Sequence, residues 1–318
     1  MTITTPKVAL YILIFVSFVW GAEFVLVDLT IAKLPTNTFN AIRFFLAGLA
    51  LLPLFYFSKE RKQSLPIKPL LIAGSMLGFF LFIGFYAQTE GMRYTTVSNA
   101  GFITGMAVPL VSLLGFMFFN KRPTPAVWIG ILVATLGLYF LTTGGEFSFN
   151  NGDLLILACA FAFAFHLIFT DKFAKKLPVL SLSIVQIFSV AAYCLTAALL
   201  SGDPLFYLSG SEPVSWHEHL FEPIIVFSIL VTALLGTAFA YWAQTSCQQF
   251  LPSHKVAMVF ASEPIFAHGA AWLFLGEHLA LMGFVGAGMI IAGMLISELG
   301  DKKHPPKINP LDQNVTSG

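Results

Sequence analysis

Charge is what this chain has least of. Asp, Glu, Lys and Arg together make up 10% of its 318 residues, whereas a soluble domain carries roughly 25%. A molecule this poor in charge cannot face water over most of its surface, so a water-soluble globule is excluded. The net charge is +1, and no basic patch is present to hold a phosphate backbone, which removes nucleic acid as a partner. Cysteine is scarce too. Cys159, Cys194 and Cys247 all fall in apolar runs without disulfide or zinc spacing and read as small buried hydrophobes. Also missing are a His-x-x-x-His pair, an Asp-rich cluster, a Gly-x-Ser-x-Gly elbow and an ATP-binding loop. Their absence argues against a polytopic membrane enzyme, implies no cofactor, and leaves ion or solute gradients as the energy source.

What the chain has is apolar length. Hydrophobic residues are 57% of the sequence and mean hydropathy is +0.82. A membrane-spanning helix needs about 20 such residues. The runs predict helices over 8–31, 36–57, 68–90, 95–119, 126–143, 152–170, 178–200, 222–246, 254–275 and 279–297. The breaks fall at turn or charge clusters such as Leu34-Pro35-Thr36-Asn37 and Lys175 to Pro178. The first run is too long for a cleaved leader and is followed directly by further spans. The lipid bilayer is thus the chain's main partner.

Orientation follows from Lys and Arg. With a cytoplasmic N-terminus, the inner segments collect Lys7, Lys59, Arg61, Lys62, Lys68, Lys121, Arg122, Lys172, Lys175, Lys176, Lys255, Lys302, Lys303 and Lys307, fourteen of the 17 basic residues. Only Lys33 and Arg93 fall outside, and Arg43 lies within the second helix. Lys and Arg concentrate on the cytoplasmic side of membrane proteins, so both termini are expected there, in a bacterial inner membrane. The longest external loop, 201–221, carries Trp216-His217-Glu218-His219. That set has the side chains to touch a metal, but a solvated loop is the preferred reading.

The chain also repeats itself. Phe85-Tyr86-Ala87-Gln88-Thr89 matches Tyr241-Trp242-Ala243-Gln244-Thr245 at an offset of 156 residues, which also aligns Gly130 with Gly286 and Gly137 with Gly293. Pro109 aligns with Pro264 at 155, and Leu34-Pro35 with Leu177-Pro178 at 143. The expected fold is therefore all-α and integral to the membrane, ten transmembrane helices forming two five-helix repeats, 1–147 and 148–300, with a disordered cytoplasmic tail over 301–318. An odd number of spans per repeat makes the second copy enter from the opposite side. Inverted repeats of this kind place a substrate site near the midplane between the halves.

Trp20-Gly21, Arg43-Phe44, the run Thr96-Val97-Ser98-Asn99-Ala100-Gly101-Phe102, Glu263-Pro264 and Leu275-Gly276-Glu277 together resemble the EamA branch of the drug/metabolite transporter superfamily over residues 8–297. The resemblance implies ten helices, both termini inside, and alternating-access movement of metabolites, often export of amino acids or related compounds. Two positions depart from it. Glu23 stands where a small or hydroxyl residue is expected, and Lys121 holds the place that Glu277 takes in the second half.

An ion at mid-bilayer costs about 2.5–3.5 kcal/mol even on the milder scale, so the few polar residues inside the spans are candidates for function. Trp20 and Glu23 share a face of the first helix, and Phe163 and His166 share one in the sixth. The 143-residue offset sets Glu23 opposite His166. Tyr86 and Gln88, matched by the repeat, belong to the third helix and Asn99 to the fourth; Tyr241 and Gln244 stand in a polar stripe with Thr237 and Gln248, and Glu263 lies in the ninth. His268, about 140° around that helix from Glu263, is expected to look elsewhere. Trp20, Glu23, Tyr86, Gln88, Asn99, Phe163, His166, Tyr241, Gln244 and Glu263 form the candidate substrate site.

Each has a plainer reading. Glu23 and Arg43 lie at similar depth, so a static ion pair and a cavity role are both open. Glu263 precedes Pro264 and can bond backbone freed by the ring; His166 can be a neutral buried ring. The glycines of helices 5 and 10 serve close packing or, alternatively, a homodimer in place of a monomer. A single interior arginine is too little cation for polyphosphate cargo. Two carboxylates, a His, amides and aromatic rings suit a small zwitterion or an amine, with proton coupling through Glu23 by analogy with the four-helix multidrug members of the superfamily. A secondary transporter, in the efflux direction, is the leading reading; a membrane enzyme or a channel is the alternative.

Overall fold

The computed structural model describes residues 5–95, 97–119, 123–143, 151–200, 216–275 and 281–303, and all regular structure among them is helical. In chain order the α-helices are α1 (Pro6–Ile31), α2 (Thr36–Phe57), α3 (Ile67–Gly91), α4 (Val97–Gly105), α5 (Ala107–Phe119), α6 (Pro125–Thr143), α7 (Asn151–Ala174), α8 (Val179–Leu200), α9 (Trp216–Leu220), α10 (Pro223–Ala233), α11 (Ala240–Cys247), α12 (Ser253–Phe260), α13 (Glu263–Leu275) and α14 (Leu281–Lys303). Seven rods are long and apolar enough to cross a membrane, and 125–141 and 281–297 are shorter apolar helices. The remaining apolar rod is α12 with α13, interrupted between Phe260 and Glu263. Large apolar side chains such as Phe57, Leu132, Leu199 and Leu273 stand exposed on the outer faces, as lipid solvation allows.

Three rods expected to be continuous are not. The fourth turns at Met106, whose N–H bonds to the Ile103 carbonyl, three residues before Pro109. The ninth breaks at Ala261 and Ser262, where the Ser262 N–H reaches the Val259 carbonyl just before Pro264. A proline lacks the N–H that would continue the ladder and its ring crowds the preceding turn. The 155-residue offset thus relates the breaks as well as the prolines. The eighth rod passes from α10 to α11 through a π-helical turn, Leu234–Phe239, a distortion frequent at functional sites.

Packing follows the repeat. α3 lies against α7 and α8, and the α10–α11 rod lies against α1 and α2; α5 meets α7 as α13 meets α1. α6 and α14 cross at their glycines. A Cβ added at Gly130 would sit 2.5 Å from the Gly293 carbonyl oxygen, and one at Gly137 2.6 Å from that of Gly286. Backbones this close tolerate only hydrogen at those positions. Gly130, Gly137, Gly286 and Gly293 thus serve close packing within the chain, whereas Gly288 meets nothing within 4 Å.

The two halves are also tied across the membrane's edges. Glu60, in the turn after α2, accepts hydrogen bonds from the N–H groups of Leu180 (3.0 Å) and Ser181 (2.8 Å) and from the Ser181 hydroxyl (2.7 Å), capping α8. At the other edge Glu222 pairs with Lys33 and with His219. The Lys33 hydrogen bond first, and the His219 one second, hold the Glu222 carboxyl below the usual carboxylate range. His219 is therefore hydrogen-bonded to Glu222 at the start of α10. The side chains of Trp216 and His217, the tail from 304 onward, and Lys121 and Glu277 lie outside the described residues.

Candidate functional site

A cavity of about 500 Å³ lies between the halves, within the range of small-ligand sites. It runs from Asp28 and Leu29, exposed near the end of α1, down to His166, Tyr241 and Gln244, all nearly inaccessible. At its floor Leu167 joins an apolar cluster with Leu13, Val111, Leu114, Ile168 and Val256. The cavity is thus exposed at its Asp28 end and buried at its His166 end.

On one wall stands a buried ion pair. Arg43, 1% exposed, donates from Nη2 to Glu23 Oε1 at 2.6 Å and from Nε to Thr237 Oγ1 at 2.7 Å. Its guanidinium lies 5.1 Å from the Phe85 ring centre. Thr237 belongs to the π turn, as does Gly236, whose carbonyl accepts the Trp20 indole N–H at 2.8 Å. Glycine is needed there: a Cβ at Gly236 would overlap the Glu23 carboxylate. Glu23 is thus both an ion-pair partner and part of the cavity wall, so the two readings left open for it are not exclusive.

The floor is a neutral network. His166 Nε2 lies 3.1 Å from Gln186 Oε1, and its Nδ1 lies 3.5 Å from Gln244 Nε2. Gln186 Nε2 donates to Thr245 at 3.2 Å, which leaves its oxygen as the acceptor. The network therefore assigns the proton to His166 Nε2 and makes Nδ1 the acceptor. Both ring nitrogens are occupied.

Eight of the ten candidates line this cavity: Trp20, Glu23, Gln88, Phe163, His166, Tyr241, Gln244 and Glu263. Tyr86 does not; it is 38% exposed on the outer face of α3 with its ring beside Phe82. Phe85 lines the cavity in its place. The repeat already aligned Phe85 with Tyr241, and that was the signal to follow. The Asn99 side chain lies outside the described residues. His268, expected to look elsewhere, also lines the cavity, with Nδ1 2.9 Å from the Pro264 carbonyl. Glu263, Pro264, Ala267 and His268 all line it, so the cavity wraps around more than one face of α13 and reaches both sides of the roughly 140° step. Thr104 joins the wall and receives a 3.4 Å hydrogen bond from Gln88. Glu263 makes no side-chain hydrogen bond or ion pair among the described residues, so it does not bond freed backbone.

Paired helical bundles around a shared cavity, with broken rods at equivalent positions, define a multi-pass membrane protein built from a repeat. The EamA-like transporter family matches the chain twice, over residues 7–143 and 150–299. The chain belongs to that family, within the drug/metabolite transporter superfamily. Among similar proteins, an uncharacterized transporter of Archaeoglobus fulgidus is 28% identical, with 89% of this chain and 83% of the relative covered. A probable amino-acid metabolite efflux pump of Salmonella typhimurium is 25% identical, over 91% and 94%. The uncharacterized inner membrane transporter YedA of Escherichia coli is 23% identical, over 94% of each. A protein crystal structure matches the fold with a TM-score of 0.71 at 15% identity, over 93% of this chain and 98% of that one.

Proposed function

We propose that the chain is a secondary transporter that moves small amphipathic organic metabolites, amino acids, amines or their relatives, out of the cell by alternating access. The proposed frame is ten transmembrane helices in two repeats, 1–147 and 148–300, with both termini in the cytoplasm. The observation that supports the reading is a cavity lined by both halves, running from exposed Asp28 to the buried His166, Tyr241 and Gln244. With the orientation taken from Lys and Arg, the exposed end faces outward. Because the halves pack in equivalent ways, a second state with the exposed and buried ends exchanged is available at similar energy. The name of the Salmonella typhimurium relative supports cargo derived from amino acids.

Proton coupling belongs to the same proposal. Glu23 is its responsive group, facing Arg43 from α2, Glu263 from α13, Tyr241 from α11 and His166 from α7 across the cavity, with Asp28 beyond it on α1. Counterflow in proteoliposomes tests the carrier: saturable exchange of labelled for unlabelled substrate is expected, and flux without exchange would refute it. Cysteine labelling tests the frame, with positions 60, 122 and 174 expected inside and 148 and 212 outside. External labelling at both 60 and 174 would refute the ten-helix arrangement.

A further inference from the structure

Arg43 and His166, which face the cavity, already have partners. Arg43 spends Nη2 on Glu23 and Nε on Thr237. His166 has both nitrogens engaged by Gln186 and Gln244 in the neutral form. Buried charge tolerates no loss of its partner, because an unpaired ion there keeps its full desolvation penalty. The charge of Arg43 is thus already balanced by Glu23, and a ligand carboxylate would have to share it.

The uncommitted groups have the opposite character. Glu263 lines the cavity and has no side-chain partner among the described residues. His268 donates from Nδ1 to the Pro264 carbonyl, and no partner is shown for its Nε2 among the described residues. Asp28 stands exposed at the mouth. Around them are the rings of Trp20 and Phe260, 4.8 Å apart between centres, and of Phe85 and Phe163, 5.5 Å apart. Acceptors and aromatic faces both attract cations.

We infer that the cavity takes an organic amine without a free carboxylate, with Glu263 receiving its ammonium group and the aromatic rings holding its apolar body. This rests on the transporter reading and narrows its cargo. Glu23 then serves as a built-in substitute for a substrate carboxylate. It occupies the arginine and turns away the zwitterionic parent amino acid.

The test is a matched set of probes on the purified full chain in nanodiscs: phenethylamine, phenylalaninamide, phenylalanine and 3-phenylpropionate, with isoamylamine and leucine as an aliphatic pair. Isothermal titration is expected to give the two aromatic amines about tenfold tighter binding than phenylalanine, the scale of one charge-assisted hydrogen bond. No binding of 3-phenylpropionate is expected, and isoamylamine should bind more tightly than leucine. Glu263→Gln should weaken binding of the aromatic amines about tenfold, and Glu222→Gln, outside the cavity, should leave it unchanged. Equal affinity for amine and amino acid, amine binding that Glu263→Gln leaves unchanged, or no binding by any amine would each overturn the inference. Counterflow separates the two levels. Exchange of phenylalanine without phenethylamine overturns the substrate class alone, and a bound amine that shows no saturable exchange overturns the transporter reading alone.

Discussion

Arg43 and Gln186 occupy the same place in the two repeats, 143 residues apart, and each holds a partner twenty residues before it. Arg43 holds Glu23 at 2.6 Å, and Gln186 holds His166 at 3.1 Å. The same clasp between the first two helices of a repeat is ionic in one half and neutral in the other. The duplication supplied one geometry, and the side chains made the cavity electrostatically lopsided.

The ionic clasp is the first target. Glu23→Gln leaves a buried guanidinium without its anion, a loss of about 3–5 kcal/mol, and is expected to lower yield and Tm. Adding Arg43→Gln should recover most of the stability. The double variant should fold yet carry substrate without the pH response of the parent. Return of pH-dependent transport along with folding would leave Glu23 as a structural partner and end its role in coupling.

The glycine crossing offers a test with its own control. A Cβ at Gly286 meets the Gly137 carbonyl and the Leu141 backbone, whereas one at Gly288 has nothing within 4 Å. Gly286→Ala should therefore destabilise by about 1–3 kcal/mol. Gly288→Ala should be neutral or stabilise by up to about 1 kcal/mol, since helical glycine carries an entropy penalty. Thermal unfolding of both in one detergent decides it; equal effects would contradict the crossing.

Glu60 caps α8 across the boundary of the repeats. Glu60→Ala removes three hydrogen bonds and should cost about 0.5–2 kcal/mol, as capping residues do. In a double-mutant cycle with Ser181→Ala the two losses should be less than additive, because both substitutions remove the bond between these side chains. Strict additivity would argue that Glu60 acts only through its charge.

The Lys33–Glu222–His219 cluster gives a pH prediction. Glu222 is held below the usual carboxylate range, chiefly by Lys33. The sign is that of a carboxylate bound in the folded state: its stabilisation is present above the unfolded pKa and disappears as pH falls through the folded one. Glu222→Gln should lower Tm slightly at neutral pH, the effect being small for so exposed a group. The gap should close on acidification. A gap that widens at low pH would mean the cluster is not an ion pair of this kind.

The parts of this protein legible in its sequence are those set by local or bulk physics. Apolar run length against bilayer thickness marks the spans, and Pro109 with Pro264 marks where two rods break. Gly130, Gly137, Gly286 and Gly293 announce a close crossing because only hydrogen fits between touching backbones. The repeat offset brings Glu23 and His166 to equivalent places without any coordinates.

Which face of each helix turns inward was decided only by tertiary structure. In water an apolar stripe reveals the buried face, but in lipid the outer face is apolar too, and Tyr86 and Phe85 look alike. The π turn compounds this: Leu234–Phe239 departs from the 3.6-residue period, so helical spacing alone could not predict that Thr237 meets Arg43 while Tyr241 and Gln244 meet the cavity. The Glu23–Arg43 pair itself needs two helices close enough for their side chains to meet at 2.6 Å. Composition named both charges, and only the packing of α1, α2 and the π turn determined that each would neutralise the other and leave Glu263 uncommitted.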